Sequence, residues 1–559
     1  MLIPTARRGA MALEWRSICC QLLAFLAKIE PLLQLITTRT GTTKMSPRTY
    51  FLAHDLGTTG NKANLFDERG QPVASAFAGY ETIYPRPGWA EQDAADWWRA
   101  VRDSTQELLS ASIVAPGDIA AVSFSGQMMA ALPVDKSGVP LRSAIIWADQ
   151  RATAEAEFLA DRCGFEQVYR RTGHRAGASY TAAKVLWIQR HQPELYARTY
   201  QFLQAKDYAA CKLSGVFATD YSDASGTNLF DLERRDWAVD MIEAVGLDPR
   251  KLPPVHPSST VIGKVTLEAA AETGLLTGTP VVIGGGDGAC ATVGAGSVHP
   301  GEAYNYVGSS SWIAVTSEQP LYDPQMRTFT FAHLDPQLYF PTGTMQCAGG
   351  SFDWLERLLR GEACPESSRR GETRLYDEMS AAAADVEPGA GGLLFLPHLI
   401  GERSPHWNPL ARGAFVGLTM SHGRAEMARA VLEGVAFNLR MILDAFLEQG
   451  ADIQAMRLIG GGARSSPWRQ ILADVYGLPI LRPALLAEAT ALGAAIAGGV
   501  GVGLFSDFLV AHEIVQVEEA ERPNPAHSQR YAALYGLFQQ TYTALEPIFE
   551  QLATLEVGD

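Results

Sequence analysis

Three stretches of this chain combine residue types suited to holding a nucleoside phosphate, and a fourth places a lone carboxylate where it can take a proton. In Asp55-Leu56-Gly57-Thr58-Thr59-Gly60-Asn61-Lys62 the glycines let a turn approach a phosphate. Thr58 and Thr59 offer hydroxyls and amides there, and Lys62 supplies positive charge. Asp55 can hold a hydrated magnesium ion through one carboxylate, which suits that ion's reluctance to lose water. A second hydroxyl-rich turn, Gly308-Ser309-Ser310-Ser311, could face the first, so that two hairpins clasp a triphosphate from both sides. Gly460-Gly461-Gly462-Ala463-Arg464-Ser465-Ser466-Pro467 offers a flat ledge for an adenine or ribose. Asp287, among small residues in Gly284-Gly285-Gly286-Asp287-Gly288-Ala289, is a candidate general base. Each has a plainer reading: two hairpin turns, a β–α connection, and a turn aspartate satisfying local amides.

The elements that must position these residues read as α/β. An apolar run from Tyr50 to Leu56 enters the first turn and Ala63 to Phe66 leaves it, which predicts a β-hairpin. Ala303 to Val307 and Trp312 to Val315 predict a second one around Gly308, a sign of internal duplication. Apolar strands at Ile119 to Phe124, Val281 to Ile283 and Met456 to Ile459 each run into a polar or glycine-rich loop. Strands ending this way present backbone amides at the carboxyl edge of a sheet. Ala425 to Phe446 predicts a helix with Met427, Ala430, Val431, Gly434, Phe437, Asn438 and Met441 on one face. Tyr531, Leu534, Tyr535, Phe538, Tyr542 and Leu545 predict a terminal amphipathic helix.

Composition narrows the function. The 559 residues are 47% hydrophobic and 19% charged, enough for sizeable cores. A formal charge of −15 argues against a phosphate-neutralising nucleic-acid surface and against a basic membrane surface. Seven scattered cysteines, without a CxxC pair, point to a reducing cytosol. The eleven histidines form no HxxxH or HExxH pair, so a bound metal should be a hard ion held by oxygens. His398 and His406, flanking Gly401-Glu402-Arg403-Ser404-Pro405, read either as catalytic or as structural groups in a Pro-rich turn. P-loop, H-R-D, G-x-S-x-G and complete G-x-G-x-x-G signatures are absent. Residues 18–36 are largely apolar, but Lys28, Glu30 and Pro31 interrupt them, leaving no clean membrane span. Residues 1–45 therefore read as a non-core leader, followed by domains at 46–298 and 299–559.

Taken in order, these stretches resemble the FGGY carbohydrate kinase family, within the actin, sugar kinase and Hsp70 superfamily. The resemblance runs from about Thr49 to Gly503 and includes Ser125-Gly126-Gln127-Met128-Met129 and Trp147-Ala148-Asp149-Gln150-Arg151. Within the family the chain is most similar to xylulokinase-like members, through Ser125 to Met128 and Gly401 to Trp407. The resemblance implies two RNase H-like α/β domains flanking a cleft, the sugar side and first phosphate hairpin in the first domain and the nucleotide side in the second. It implies ATP and Mg2+, a small sugar or polyol such as a ketopentose, and no nucleic acid or membrane partner. Relatives commonly form dimers, which makes a homodimer the assembly to look for. Carried over by residue, Asp287 is the catalytic base. Thr58, Thr59, Lys62, Ser309, Gly349, Asp353, Gly462 and Ser466 contact the nucleotide, and Asp55 holds the metal. Gln127, Met128, Met129, Asp287 and Gly288 contact the sugar. Two departures stand out: xylulokinases usually carry His at Met129 and Asn or Gln at Gly288, so the preferred sugar is expected to differ. The readings set against kinase activity are an inactive sugar-binding regulator on the same fold and a sugar-independent ATPase.

Overall fold

The computed structural model describes residues 50–556, except 113, 362–373 and 485–487. The leader expected over residues 1–45 lies outside them.

Two seven-stranded sheets carry the site, and their strands are numbered here in chain order. The first contains β1 (Tyr50–Leu56), β2 (Gly60–Phe66), β3 (Pro72–Gly79), β4 (Ile119–Gly126), β5 (Val261–Lys264), β6 (Pro280–Val282) and β7 (Gly285–Gly286). Its order is β3-β2-β1-β4-β6-β5, with β7 also alongside β4. The second contains β8 (Ala303–Val307), β9 (Ser311–Val315), β10 (Phe329–Ala332), β11 (Tyr339–Met345), β12 (Met456–Ile459), β13 (Ile480–Pro483) and β14 (Val517–Glu521). Its order is β10-β11-β9-β8-β12-β13-β14. From β3 in the first sheet and from β11 in the second, neighbours run antiparallel, antiparallel, parallel, parallel, antiparallel. The fold is thus a pair of RNase H-like α/β units with one topology used twice.

The central strand of each sheet is β1 or β8, and both are almost wholly buried. That is why they read as continuous apolar runs and not as alternating ones. His54 in β1 is no exception to the apolar rule, because burial pushes its pKa down to about 3 and keeps it neutral beside Asn61. Helix α1 (Ala94–Ala111) starts at Asp93, whose carboxylate accepts the Ala95 amide at 2.9 Å, and buries Trp97, Val101 and Leu108 against the first sheet's core. Further helices that matter are α2 (Ala205–Ser214), α3 (Asp287–Gly294), α4 (Gly349–Arg360), α5 (Arg424–Glu448), α6 (Ser466–Tyr476), α7 (Ala489–Gly501) and α8 (Pro525–Glu556). The sequence predicts one apolar face for α5. In the structure Ala428 to Leu439 is buried on every side, with α8 covering it through Tyr531 and Phe538.

Helices α3 and α7 join the two sheets. A Cβ on Gly294 would lie 1.8 Å from the Ala489 carbonyl oxygen, and one on Gly493 would lie 2.0 Å from that of Cys290. The helices therefore touch backbone to backbone, which only glycine permits at those two positions. Their first turns, carrying Asp287 and Thr490, are brought to the same place. That junction is where the chemistry gathers.

Candidate active site

A cavity of about 370 Å³ opens at the carboxyl ends of the central strands, lined by Asp55, Gly57, Asp287, Tyr306, Trp312, Ile459, Gly460, Gly461, Arg464, Ala489 and Thr490. Four separate elements supply its polar groups: β1, the start of α3, the start of α7, and the loop after β12. Ligands at the carboxyl edge of an open sheet follow from the parallel strands ending there together.

Asp55 is half-buried. One carboxylate oxygen accepts the Ser125 hydroxyl at 2.9 Å, and the other accepts the Thr490 hydroxyl at 2.6 Å. Burial raises its pKa, while Thr490, Ser125 and the Lys62 charge oppose the rise. Lys62, opposite Asp55 on β2, donates to Glu488 at 3.1 Å and so reaches the first residue before α7.

Asp287 is the first residue of α3, directly after β7. Its oxygen accepts the Gly288 amide at 2.7 Å. Burial, and then the Asp55 charge, push its pKa up to about 7, against the pull of the Gly288 amide. A carboxylate at this junction, with a pKa near neutrality, is matched to accept a proton and to release it again.

Below Asp287 lies an apolar wall. Met128 is buried against Gly286, where an added Cβ would fall 2.6 Å from its sulfur. Met129 is buried with φ +67°, a left-handed conformation rare for a side chain of this type. Its carbonyl accepts Lys184 Nζ at 2.7 Å. Tyr180, Phe329, Phe331, Phe340 and Trp407 belong to the same cluster, and a Cβ on Gly288 would sit 3.3 Å from Phe340. Gln127 is buried, its amide donating to Gln92 at 2.7 Å and to the Gly57 carbonyl at 3.3 Å.

The remaining candidates are not among the residues that line the cavity. The Thr58 hydroxyl accepts Trp147 Nε1 at 3.0 Å and its carbonyl accepts Gln92 at 2.7 Å, while Thr59 is exposed at the turn. Ser309 is exposed on the β8–β9 turn, and the amides of Gly349 and Gly350 at the head of α4 bond Gly308 and Ser309 carbonyls at 2.9 and 3.0 Å. Asp353 is exposed one turn further along α4, its pKa raised by partial burial and then by Glu356. Gly462 is buried, with 2.4 Å between an added Cβ and Val307. Ser466 is exposed at the first position of α6, whose cap is its neighbour Ser465, accepting the Trp468 amide at 3.3 Å. Tyr306, Trp312, Glu488 and Thr490 were not singled out from the sequence. The signal available for the last two was the small-residue run Ala489 to Ala495 that opens α7.

His398 and His406 prove structural. His398 pairs with buried Glu402, which also accepts Asn438 and the amides of Gln346 and Arg403, and the His406 ring stacks on Tyr542 at 3.5 Å. His299, Glu302 and His512 converge elsewhere. There the Arg457 guanidinium already lies 2.7 Å from Glu302 Oε1 and competes with any cation for that carboxylate. Among the described residues no helix is long and apolar enough to cross a membrane.

Comparison with known proteins agrees with this geometry. Residues 50–294 match the N-terminal domain, and residues 303–502 the C-terminal domain, of the FGGY family of carbohydrate kinases. The chain is 34% identical to a xylulose kinase of Escherichia coli strain K12 over 505 residues, covering 90% of this chain and 99% of that one. It is 31% identical to a gluconokinase of Bacillus licheniformis over 508 residues, covering 91% and 98%. A solved xylulose kinase from Rhodospirillum rubrum superposes with a TM-score of 0.82 at 33% identity, covering 90% of this chain and all of that one. Both halves of the fold are matched, and with them the strand ends that line the cavity: the chain belongs to the FGGY family of carbohydrate kinases, which use ATP to phosphorylate small sugars.

Proposed function

We propose that the chain transfers the terminal phosphoryl group of ATP to a hydroxyl of a ketopentose such as xylulose, with Asp287 as general base. The observation that carries this reading is Asp287 itself, at the α3 start, with a pKa near 7, between the polar cavity and the Met128–Met129 wall. The acceptor hydroxyl donates to Asp287, which takes its proton as the new phosphorus–oxygen bond forms. Gln127, Met128, Met129 and Gly288 border the sugar. Thr58, Thr59, Ser309, Gly349, Asp353, Gly462 and Ser466 border the nucleotide, and Lys62 exchanges its Glu488 partner for phosphate.

A divalent cation suits the site, because Asp55 is a hard oxygen ligand whose charge, after burial, raises the pKa of the neighbouring Asp287. Asp55 would hold the ion, Mg2+ in this reading, which when bound neutralises charge on the phosphates. Cys163, Cys211, Cys290 and Cys347 are free thiols, which suits a cytoplasmic enzyme. A homodimer is the assembly to test by light scattering.

Turnover of ATP with xylulose, other ketopentoses, gluconate, pentitols and tetritols tests the substrate. Xylulose should give the highest kcat/KM. Gluconate is the competing substrate because gluconokinases also stand among the relatives, and a higher kcat/KM for it would displace the ketopentose. ATP hydrolysis indifferent to every acceptor would point to an ATPase, and sugar binding without turnover to a regulator.

A further inference from the structure

Asp287 is aimed by a segment that has almost no side chains of its own. Gly284, Gly285 and Gly286 precede it, Gly284 has φ +67°, and Gly286 caps α3 without any side-chain hydrogen bond. Three consecutive glycines have wide conformational freedom. What holds them is their backbone: β7 pairs with Ser125 and Gly126 of β4, and two amides find partners outside the sheet. The Gly284 amide donates to the Ser258 carbonyl at 3.0 Å, and the Gly286 amide donates to the Ser222 hydroxyl oxygen at 2.9 Å.

The second contact leads into a buried ionic cluster. Ser222 Oγ donates its own hydrogen to Asp220 Oδ2 at 2.5 Å, so its acceptor lone pairs are left for Gly286. Asp220 Oδ2 also accepts the Ser258 hydroxyl at 2.7 Å and the Ser222 amide at 2.9 Å. Asp220 Oδ1 lies 2.9 Å from Lys206 Nζ, which also contacts Asp207 at 2.7 Å and Asp223 at 3.2 Å. Lys206, Asp207, Asp220, Ser222, Asp223 and Ser258 are all fully buried. Lys206 sits at the first turn of α2, directly beneath Gly126, where an added Cβ would fall 2.9 Å from the lysine Cβ. A buried group of one lysine and three carboxyls is costly, and the reaction described above does not use it. Its position under the strand that ends at Asp287 gives it a use.

We propose that Asp220 and Ser222 are positioning residues for phosphoryl transfer: Lys206 fixes Asp220, Asp220 orients the Ser222 hydroxyl, and that hydroxyl holds the Gly286 amide so that Asp287 points at the acceptor hydroxyl. This rests on Asp287 being the base. Removing a member of the ionic cluster would leave uncompensated buried charge, so Ser222, which is neutral, is the place to test it.

In the full chain, Ser222→Ala should lower kcat about tenfold or more, as displacement of a reacting group by a fraction of an ångström does, while the KM values for sugar and ATP stay close to the parent's. Ser222→Thr, which keeps the oxygen, should recover most of the loss. Ser225→Ala is the matched control: it removes another buried serine of the same short helix, one that bonds the Ser222 carbonyl and the Ala332 amide. It should lower Tm comparably and leave kcat near wild type. If Ser222→Ala does not fold, Ser222→Cys leaves no void and offers a weaker acceptor, and should show the same kcat loss at constant KM. Unchanged kcat in either Ser222→Ala or Ser222→Cys overturns the proposal, as does an equal kcat loss in Ser225→Ala. Asp287→Ala, measured alongside, separates the two claims. If it retains turnover, the base assignment falls and this inference with it; if it is inactive while Ser222→Ala is fully active, only this inference falls.

Discussion

The two sheets offer an internal comparison, because the same corner of the same topology faces the same cavity in both. In the first sheet Asp55 at the end of β1 pairs with Lys62 on β2 and Ser125 on β4. In the second, Tyr306 at the end of β8 pairs with Trp312 on β9 and Ile459 on β12. A carboxylate, an ammonium and a hydroxyl stand where the other copy has two aromatic rings and an isoleucine. The turns differ too: four residues separate Leu56 from Asn61, and three separate Val307 from Ser311. Tyr306 and Trp312 stack at 4.1 Å with 13° between their planes. The difference teaches that the repeat supplies position and not chemistry. The first copy brings the carboxylates of Asp55 and Asp287 to the cavity, and the second brings two aromatic rings, a glycine loop and Arg464.

The sharpest way to break this comparison is to remove the group on which the first copy depends. Asp287→Ala should reduce kcat by ~10²–10⁴-fold, the usual contribution of a positioned base, and leave the KM for ATP nearly intact. Asp287→Asn should keep sugar binding with little turnover. Near-wild-type kcat in the alanine variant would move the base assignment to Asp55.

A second pair of substitutions tests the matched corners directly. Asp55→Asn should lower kcat ~10²-fold and raise the Mg2+ concentration needed for half-maximal rate, since a bound metal is worth several kcal/mol of charge stabilisation. Tyr306→Phe, at the equivalent position of the second sheet, should leave kcat and the Mg2+ requirement close to wild type. Equal losses at both positions would mean that the second copy also handles charge.

Most of the first copy was legible in the sequence, and much less of the second copy's contribution was. The two hairpins are local objects: a polar, glycine-containing tip between apolar runs fixes them without help from distant residues, and Asp287 stands out because a buried strand ends beside it. Thr490 and Glu488 could not be read this way. They meet Asp55 and Lys62 across more than 400 residues of chain, and the small-residue run that opens α7 marks a close helix contact without saying which residues it brings together. Tyr306 and Trp312 looked like strand residues, which they are; only the fold turns them toward the cavity. The left-handed backbone of Met129 has no sequence signature either. Its carbonyl accepts Lys184, which comes from a helix more than 50 residues further along the chain.

The two carboxylates also set a pH dependence that sharpens the role of burial in the first copy. Asp287 acts as a base only when ionised, so kcat/KM should rise with pH through about 7. Stability should move the other way. The folded-state pKa lies above the ordinary 3.8, so the folded protein holds this proton more tightly than the unfolded chain does. The cost of ionising it is absent below about pH 4, grows between there and 7, and is complete above 7. Asp287→Asn cannot ionise, and its Tm relative to wild type should increase by a few degrees between pH 5 and pH 8. A Tm difference that stays constant over that range would mean that Asp287 is not desolvated in the folded enzyme.

The smallest expected effect concerns the apolar wall beside Asp287, to which the first copy contributes Met128 and Met129 and the second Phe331 and Phe340. The φ of +67° at Met129 is better tolerated by His than by Met. Met129→His should therefore fold without new backbone strain, provided the Lys184 contact to its carbonyl persists. The imidazole would add a hydrogen-bonding group to an otherwise apolar surface formed by Met128, Phe331 and Phe340. One recovered bond to a sugar hydroxyl is worth ~0.5–1.5 kcal/mol, which is about 2- to 12-fold in relative kcat/KM. The shift should favour xylulose over substrates lacking a hydroxyl at the matching carbon, with the KM for ATP unchanged. If the ranking of sugars stays as it was while the variant keeps its Tm, Met129 does not touch the substrate. Specificity would then reside elsewhere on the wall, beginning with Gly288, where a side chain must compete with Phe340 for space.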